Sequence, residues 1–181
     1  MPAATGVRGC WAEAGEGEIA GAGAGASFTG DADVHLLVNG ARRDPTQRDP
    51  SGWTFDVPVG SVGVRLMSHA TVPALSGLNS DERLLGICIH RLVIVAGGIT
   101  TTMDPVHPAL RTGLHDPEAH RTARWTDGIC PLPDMLFAGY GSDTTLRLTV
   151  YGSTLARYLD ADSQAHVSME AVASERCQML K

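Results

Sequence analysis

A chain of 181 residues, 43% of them hydrophobic, can bury one real core and reads as a single domain with loose ends. Its formal net charge of −6 argues against a nucleic-acid partner, because neutralising phosphates needs clustered Lys and Arg. No apolar run approaches the roughly 20 residues of a membrane-spanning helix, so no membrane partner is expected.

Residues 1–30 are rich in Gly, Ala and Glu and end in the alternating tract Ala20 to Ala26. That tract has little side-chain surface to bury, and the spacing predicts a flexible linker. The segment Met1 to Glu18 lacks an apolar signal core, which predicts a chain that stays in the cytoplasm or a fragment whose address lies elsewhere. The start at Met1, followed closely by the linker, fits a truncated or split gene. Four widely spaced cysteines, Cys10, Cys88, Cys130 and Cys177, form no CxxC pair, so neither a zinc knuckle nor a disulfide framework is expected. Cys88, within an apolar run, is expected to be buried and inert.

Order is expected from Asp31. Val34 to Val38 predicts a short strand, and Asn39-Gly40 after it is a strong hairpin signal, since both central positions of a type I′ turn need positive φ. The return arm, Ala41 to Thr46, is polar, and Pro45 marks it as an edge. Gly52 to Pro58 alternates, placing Trp53, Phe55 and Val57 on one face. Val62, Val64 and Leu66 alternate likewise, and a polar loop from Ser76 to Arg83 leads to the most apolar stretch, Leu84 to Val95. There Ile87 and Ile89 share a face, but Arg91 would fall on it too. A bulge near His90 is expected to move Arg91 out and to return the alternation to Val93 and Val95.

Ala96-Gly97-Gly98 ends that run, and residues 99–121, with Pro105, Pro108 and Pro117, are expected to be loop. Short extended pieces are predicted around Arg124-Trp125 and Met135-Phe137, and a plain alternating strand over Thr144 to Tyr151. The tail, 161–181, has weak helical spacing through Val167, Met169, Val172 and Met179. Many short strands with turn signals between them predict a mostly β domain over residues 31–160, a β-sandwich or jelly-roll-like fold.

Candidate chemistry is sparse. His107, His115, Asp116, Glu118 and His120 are the densest polar cluster, and imidazoles with carboxylates suit zinc-like ions. Their spacing matches no closed ligand pattern, so the leading expectation is a solvated loop turned at Asp116-Pro117, with a metal-dependent hydrolase on His107, His115 and His120 as the alternative. A Gly-x-Ser-x-Gly elbow is missing, and Gly21 to Gly25 neither follows a strand nor precedes a Lys-Ser/Thr pair. Acidic neighbours at Glu13, Glu16 and Glu18 blunt Cys10 as a nucleophile. No cofactor, metal or catalytic residue is expected. Trp125-Thr126-Asp127-Gly128 is the most distinctive string. Its tight turn makes Trp125 a core plug in the first instance; alternatively the indole is a sugar-stacking platform, with His115, Asp116, Glu118 and Asp127 as companion ligand-binding residues.

Four strings taken in order carry a resemblance. They are Asp33 to Gly40, Val64 to Ala74, Asp81 to Ile89, and Gly113 to Glu118 followed by Arg124 to Gly128. Together they resemble the segment downstream of the autoprocessing domain in bacterial Hint (hedgehog/intein) proteins, over about residues 31 to 155. The chain departs from that pattern at Leu114, where the family has tryptophan, at Asp116, where it has proline, and at His69, where arginine is usual. What the resemblance implies is mainly an absence. Hint chemistry needs an N-terminal Cys or Ser and a Thr-x-x-His block. Thr112 to His115 fits that pattern by coincidence, inside a string that belongs to the downstream module, and Cys10-Trp11-Ala12-Glu13 does not resemble the Hint opening. The expectation is a non-catalytic accessory module that binds a glycan or another protein, with a purely structural spacer as a further alternative.

Overall fold

The hairpin signal at Asn39-Gly40 is realised in the structure, a computed structural model that describes residues 27–118, 121–140 and 145–160. Asn39 and Gly40 both take positive φ, 52° and 79°, and the two residues join β2 (His35–Val38) to β3 (Ala41–Arg43) with Val38 opposite Ala41. Positive φ lets the chain reverse with the right-handed twist that the flanking strands need. β3 is wholly exposed and forms an edge, as its polar sequence requires. β2 then pairs with β6 (Arg65–Met67), which pairs with β10 (Ile129–Pro131), giving a four-stranded antiparallel sheet in the order β10-β6-β2-β3.

The second sheet is larger. β4 (Gln47–Asp49), β5 (Gly52–Pro58), β11 (Thr145–Ser153), β7 (Cys88–Ala96) and β8 (Ile99–Met103) lie side by side, and β9 (Arg124–Trp125) also joins β7. Alternation explains the inward faces: Phe55 and Val57 from β5, and Leu146, Leu148 and Val150 from β11, are almost fully buried. They share one core cluster with Leu36, Val38 and Leu66 of the smaller sheet and with Val34 and Val64, which lead into its strands β2 and β6. The protein is therefore a mostly β, sandwich-like fold built from antiparallel sheets. Among the described residues no helix is long and apolar enough to cross a membrane. The expected N-terminal linker falls outside the described residues up to residue 26, as does the tail 161–181. Pairing begins ahead of Asp31, because β1 (Phe28–Thr29) forms a ribbon with β12 (Tyr158–Leu159). The buried Tyr158 hydroxyl anchors that ribbon, accepting from the Leu155 amide (2.7 Å) and donating to the Gly86 carbonyl (3.2 Å).

The bulge sits where the pattern demanded it. Arg91 faces Tyr151 and Ile89 faces Gly152, so His90 is the extra, unpaired residue. Its consequence for the core is a correction. One inserted residue shifts the phase by one, so Leu92, Ile94 and Ala96 follow Ile87 and Ile89 inward, while Val93 is half-buried and Val95 is 42% exposed. Val62, expected to share a face with Val64 and Leu66, precedes β6 and is 59% exposed. Two further expectations change. Residues 99–103 are strand β8, reached through a two-residue turn in which Gly97 and Gly98 take φ of 54° and 76°. The piece around Met135 is a single 3-10 turn, Asp134–Leu136, that buries Leu136.

Candidate functional site

The string Arg124 to Gly128 proves to be mostly architecture. Arg124 is half-buried, and its guanidinium donates to four backbone carbonyls: His115 (2.6 Å), Leu114 (3.0 Å), Leu110 (3.0 Å) and Pro105 (3.1 Å). The planar fork of donors suits Arg to this clamp, which satisfies the carbonyls of an otherwise irregular loop. Thr126 is buried, and its hydroxyl accepts from the Ile87 amide at 3.1 Å. Asp127 accepts the Ile129 amide at 2.9 Å, closing a turn in which Gly128 takes φ of 101°.

Two of the candidate ligand residues meet directly. The His115 amide donates to the Trp125 carbonyl at 2.9 Å, and Leu114 bridges Thr126, so 113–115 runs antiparallel beside 125–127. His115 has no free ring edge on the Nε2 side, since that nitrogen donates to the Leu84 carbonyl at 2.7 Å. Glu118 is tied to Arg83 at 3.4 Å, whereas Asp116 and Asp127 are exposed. Trp125 is half-buried, so it is not a full core plug and keeps part of its surface exposed. His107 is exposed in a separate turn, where Nδ1 accepts the Ala109 amide at 3.1 Å; His120 lies outside the described residues. Among the described residues no three His, Cys, Asp or Glu side chains are grouped to hold a metal ion.

Arg83 also grips Asp81, with Nη2 at 2.6 Å and Nε at 3.0 Å from its carboxylate oxygens, and this holds the Asp81 carboxyl down at about 2. The Arg42 guanidinium lowers Asp33 in the same way. A carboxyl depressed on folding adds stability above its unfolded pKa, and that contribution is lost as pH falls through the folded value. Stability is expected to drop between about pH 4 and pH 2 in urea titrations, and Arg83→Gln is expected to flatten part of that drop. An unchanged acid limb in the variant would mean the pair is fully screened by solvent. Cys88 is buried and unpaired as expected; Cys130 is too, and burial pushes its thiol up to about 12, while Cys10 and Cys177 lie outside the described residues.

A second surface has no counterpart in the sequence reading. Beside the bulge lies a groove of about 460 Å³, lined by Ser51, His90, Arg91, Asp104, Tyr151 and Ser153, among others. Because His90 is the inserted residue, it and Arg91 both face solvent in succession. Arg91 lies over the Tyr151 ring, 4.7 Å from its centroid, and Ser153 Oγ is 3.3 Å from His90 Nε2. The anticipated bulge was the one available signal for this groove. No protein-family model, no curated protein and no solved structure matches the chain.

Proposed function

We propose that the protein is a non-catalytic, β-rich recognition module for a glycan, similar in kind to the region that follows the Hint domain in bacterial hedgehog/intein proteins. The observation that carries this reading is the fixed ribbon that holds Trp125, paired on one side with β7 and on the other with residues 113–115. Pairing with Cys88 of β7 and the His115 amide on its carbonyl fix the Trp125 backbone, and the Arg124 side chain ties down the adjoining 105–115 loop, so a ring can stack on the indole without first ordering that loop. The exposed carboxylates of Asp116 and Asp127 stand on the same ribbon and supply acceptors for sugar hydroxyls.

An array of neutral oligosaccharides, probed with the full chain, tests the reading. Binding is expected, and Trp125→Leu is expected to weaken it about tenfold while the melting transition persists. A folded protein that captures nothing on the array, or a Trp125→Leu variant that binds undiminished, overturns the assignment.

A further inference from the structure

The outer face of the larger sheet connects the groove to Trp125. Residues directly opposite each other in antiparallel strands share a face. Cys88 lies opposite Trp125 on one side and Ser153 on the other, so these three side chains form a row across β9, β7 and β11. Two strand spacings separate Trp125 from Ser153, about 10 Å. Ser153 in turn contacts His90 and lines the groove. Tyr151, two residues before Ser153, is on the same face, and Arg91 opposite it caps its ring. Met103 pairs with Leu92, which brings the next residue, Asp104, alongside Arg91.

The two charged side chains of the groove are unspent. Among the described residues, neither the Arg91 guanidinium nor the Asp104 carboxylate has an ion-pair or hydrogen-bond partner, although one is a cation and the other an anion at adjacent positions. Stacking on Tyr151 holds the guanidinium plane and leaves its N–H edge available. One side of the groove therefore only donates and the other only accepts, while the Ser51 hydroxyl donates to the Asp49 carboxylate and the Ser153 hydroxyl pairs with His90 Nε2, which leaves each oxygen a lone pair that accepts. A vicinal pair of sugar hydroxyls matches such a lining, because each hydroxyl donates once and accepts as well. An acidic sugar does not match it. Asp104 would repel a carboxylate, as would the exposed Asp116 and Asp127 along the Trp125 end, on a protein of net charge −6. The volume, about 460 Å³, is within the range of small-molecule sites.

Building on the recognition reading, we infer that the bulge groove is the anchoring subsite of an extended saccharide face. It takes one neutral sugar unit through adjacent hydroxyls, Arg91 donating and Asp104 accepting, and the chain of sugars continues towards Trp125.

Calorimetric titration of the full chain with maltotriose, cellotriose and mannotriose, and with tri-galacturonate as the charged probe, tests it. At least one neutral trisaccharide is expected to bind, with tri-galacturonate at least tenfold weaker. Asp104→Ala and Arg91→Met are each expected to lower affinity tenfold or more with an unchanged melting transition, and Asp104→Asn, which keeps one acceptor oxygen, to recover part of the loss. Tighter binding of tri-galacturonate, or full affinity in both groove variants, overturns the subsite while the recognition reading survives on Trp125. Absence of binding by every neutral sugar here and on the array overturns both.

Discussion

Arg124→Met is expected to lower the unfolding free energy by about 3–4 kcal/mol, the largest effect of any single side chain outside the core. Methionine keeps the aliphatic stem and removes every donor, so the change isolates the clamp. The carbonyls of Leu114 and His115 are on half-buried residues and can recruit water, whereas Pro105 and Leu110 are buried and their carbonyls are left without the donor they have now. A hydrogen bond to a charged donor contributes about 1.5–3 kcal/mol, and the two buried carbonyls account for most of the figure. Urea denaturation measures the loss, and trypsin cleavage after the exposed Arg111 is expected to accelerate as the loop loosens. A loss below about 1 kcal/mol would show that water replaces the guanidinium.

Gly113→Ala is expected to cost at least about 3 kcal/mol, for two separable reasons. Gly113 takes φ of 73°, where an L-residue is strained by about 1–2 kcal/mol. A Cβ there would also stand 2.0 Å from the Ile129 carbonyl oxygen and 2.9 Å from the Cys130 Cα. Those atoms cannot easily give way, because β10 is hydrogen-bonded to β6 with Cys130 opposite Leu66. Gly40 supplies the control: its φ is 79°, yet a Cβ there meets nothing within 4 Å. Gly40→Ala is therefore expected to show the backbone strain alone, and the difference between the two variants measures the clash. Equal losses would mean that the loop at 113 yields freely.

These two sites also show why the distinctive strings were easy to see and hard to interpret. Arg124, Thr126, Asp127 and Gly113 direct their chemistry at the backbone, and only coordinates separate such a role from ligand binding. Hairpin geometry was legible where Asn-Gly spelled it out, and the bulge followed from the one charged residue that broke an apolar alternation. Strand β8 was not, although Gly97-Gly98 is the same kind of turn signal and Ile99-Thr100-Thr101-Thr102 is β-branched throughout; the prolines at 105 and 108 pulled the whole segment towards loop. The groove was out of reach for a different reason. Ser51, Arg91, Asp104 and Tyr151 come from four separate parts of the chain and meet only through strand register, which a single sequence does not encode by pattern alone.

The ribbon of β1 and β12 has a mechanical corollary. The Asp160 amide donates to the Ser27 carbonyl at 3.0 Å, so whatever polypeptide flanks the body on either side departs from neighbouring points. Such a body can be grafted into a surface loop of a host protein without prising that loop apart. Tension applied across the two flanks peels open a pairing only two residues long, well before it loads the sandwich itself.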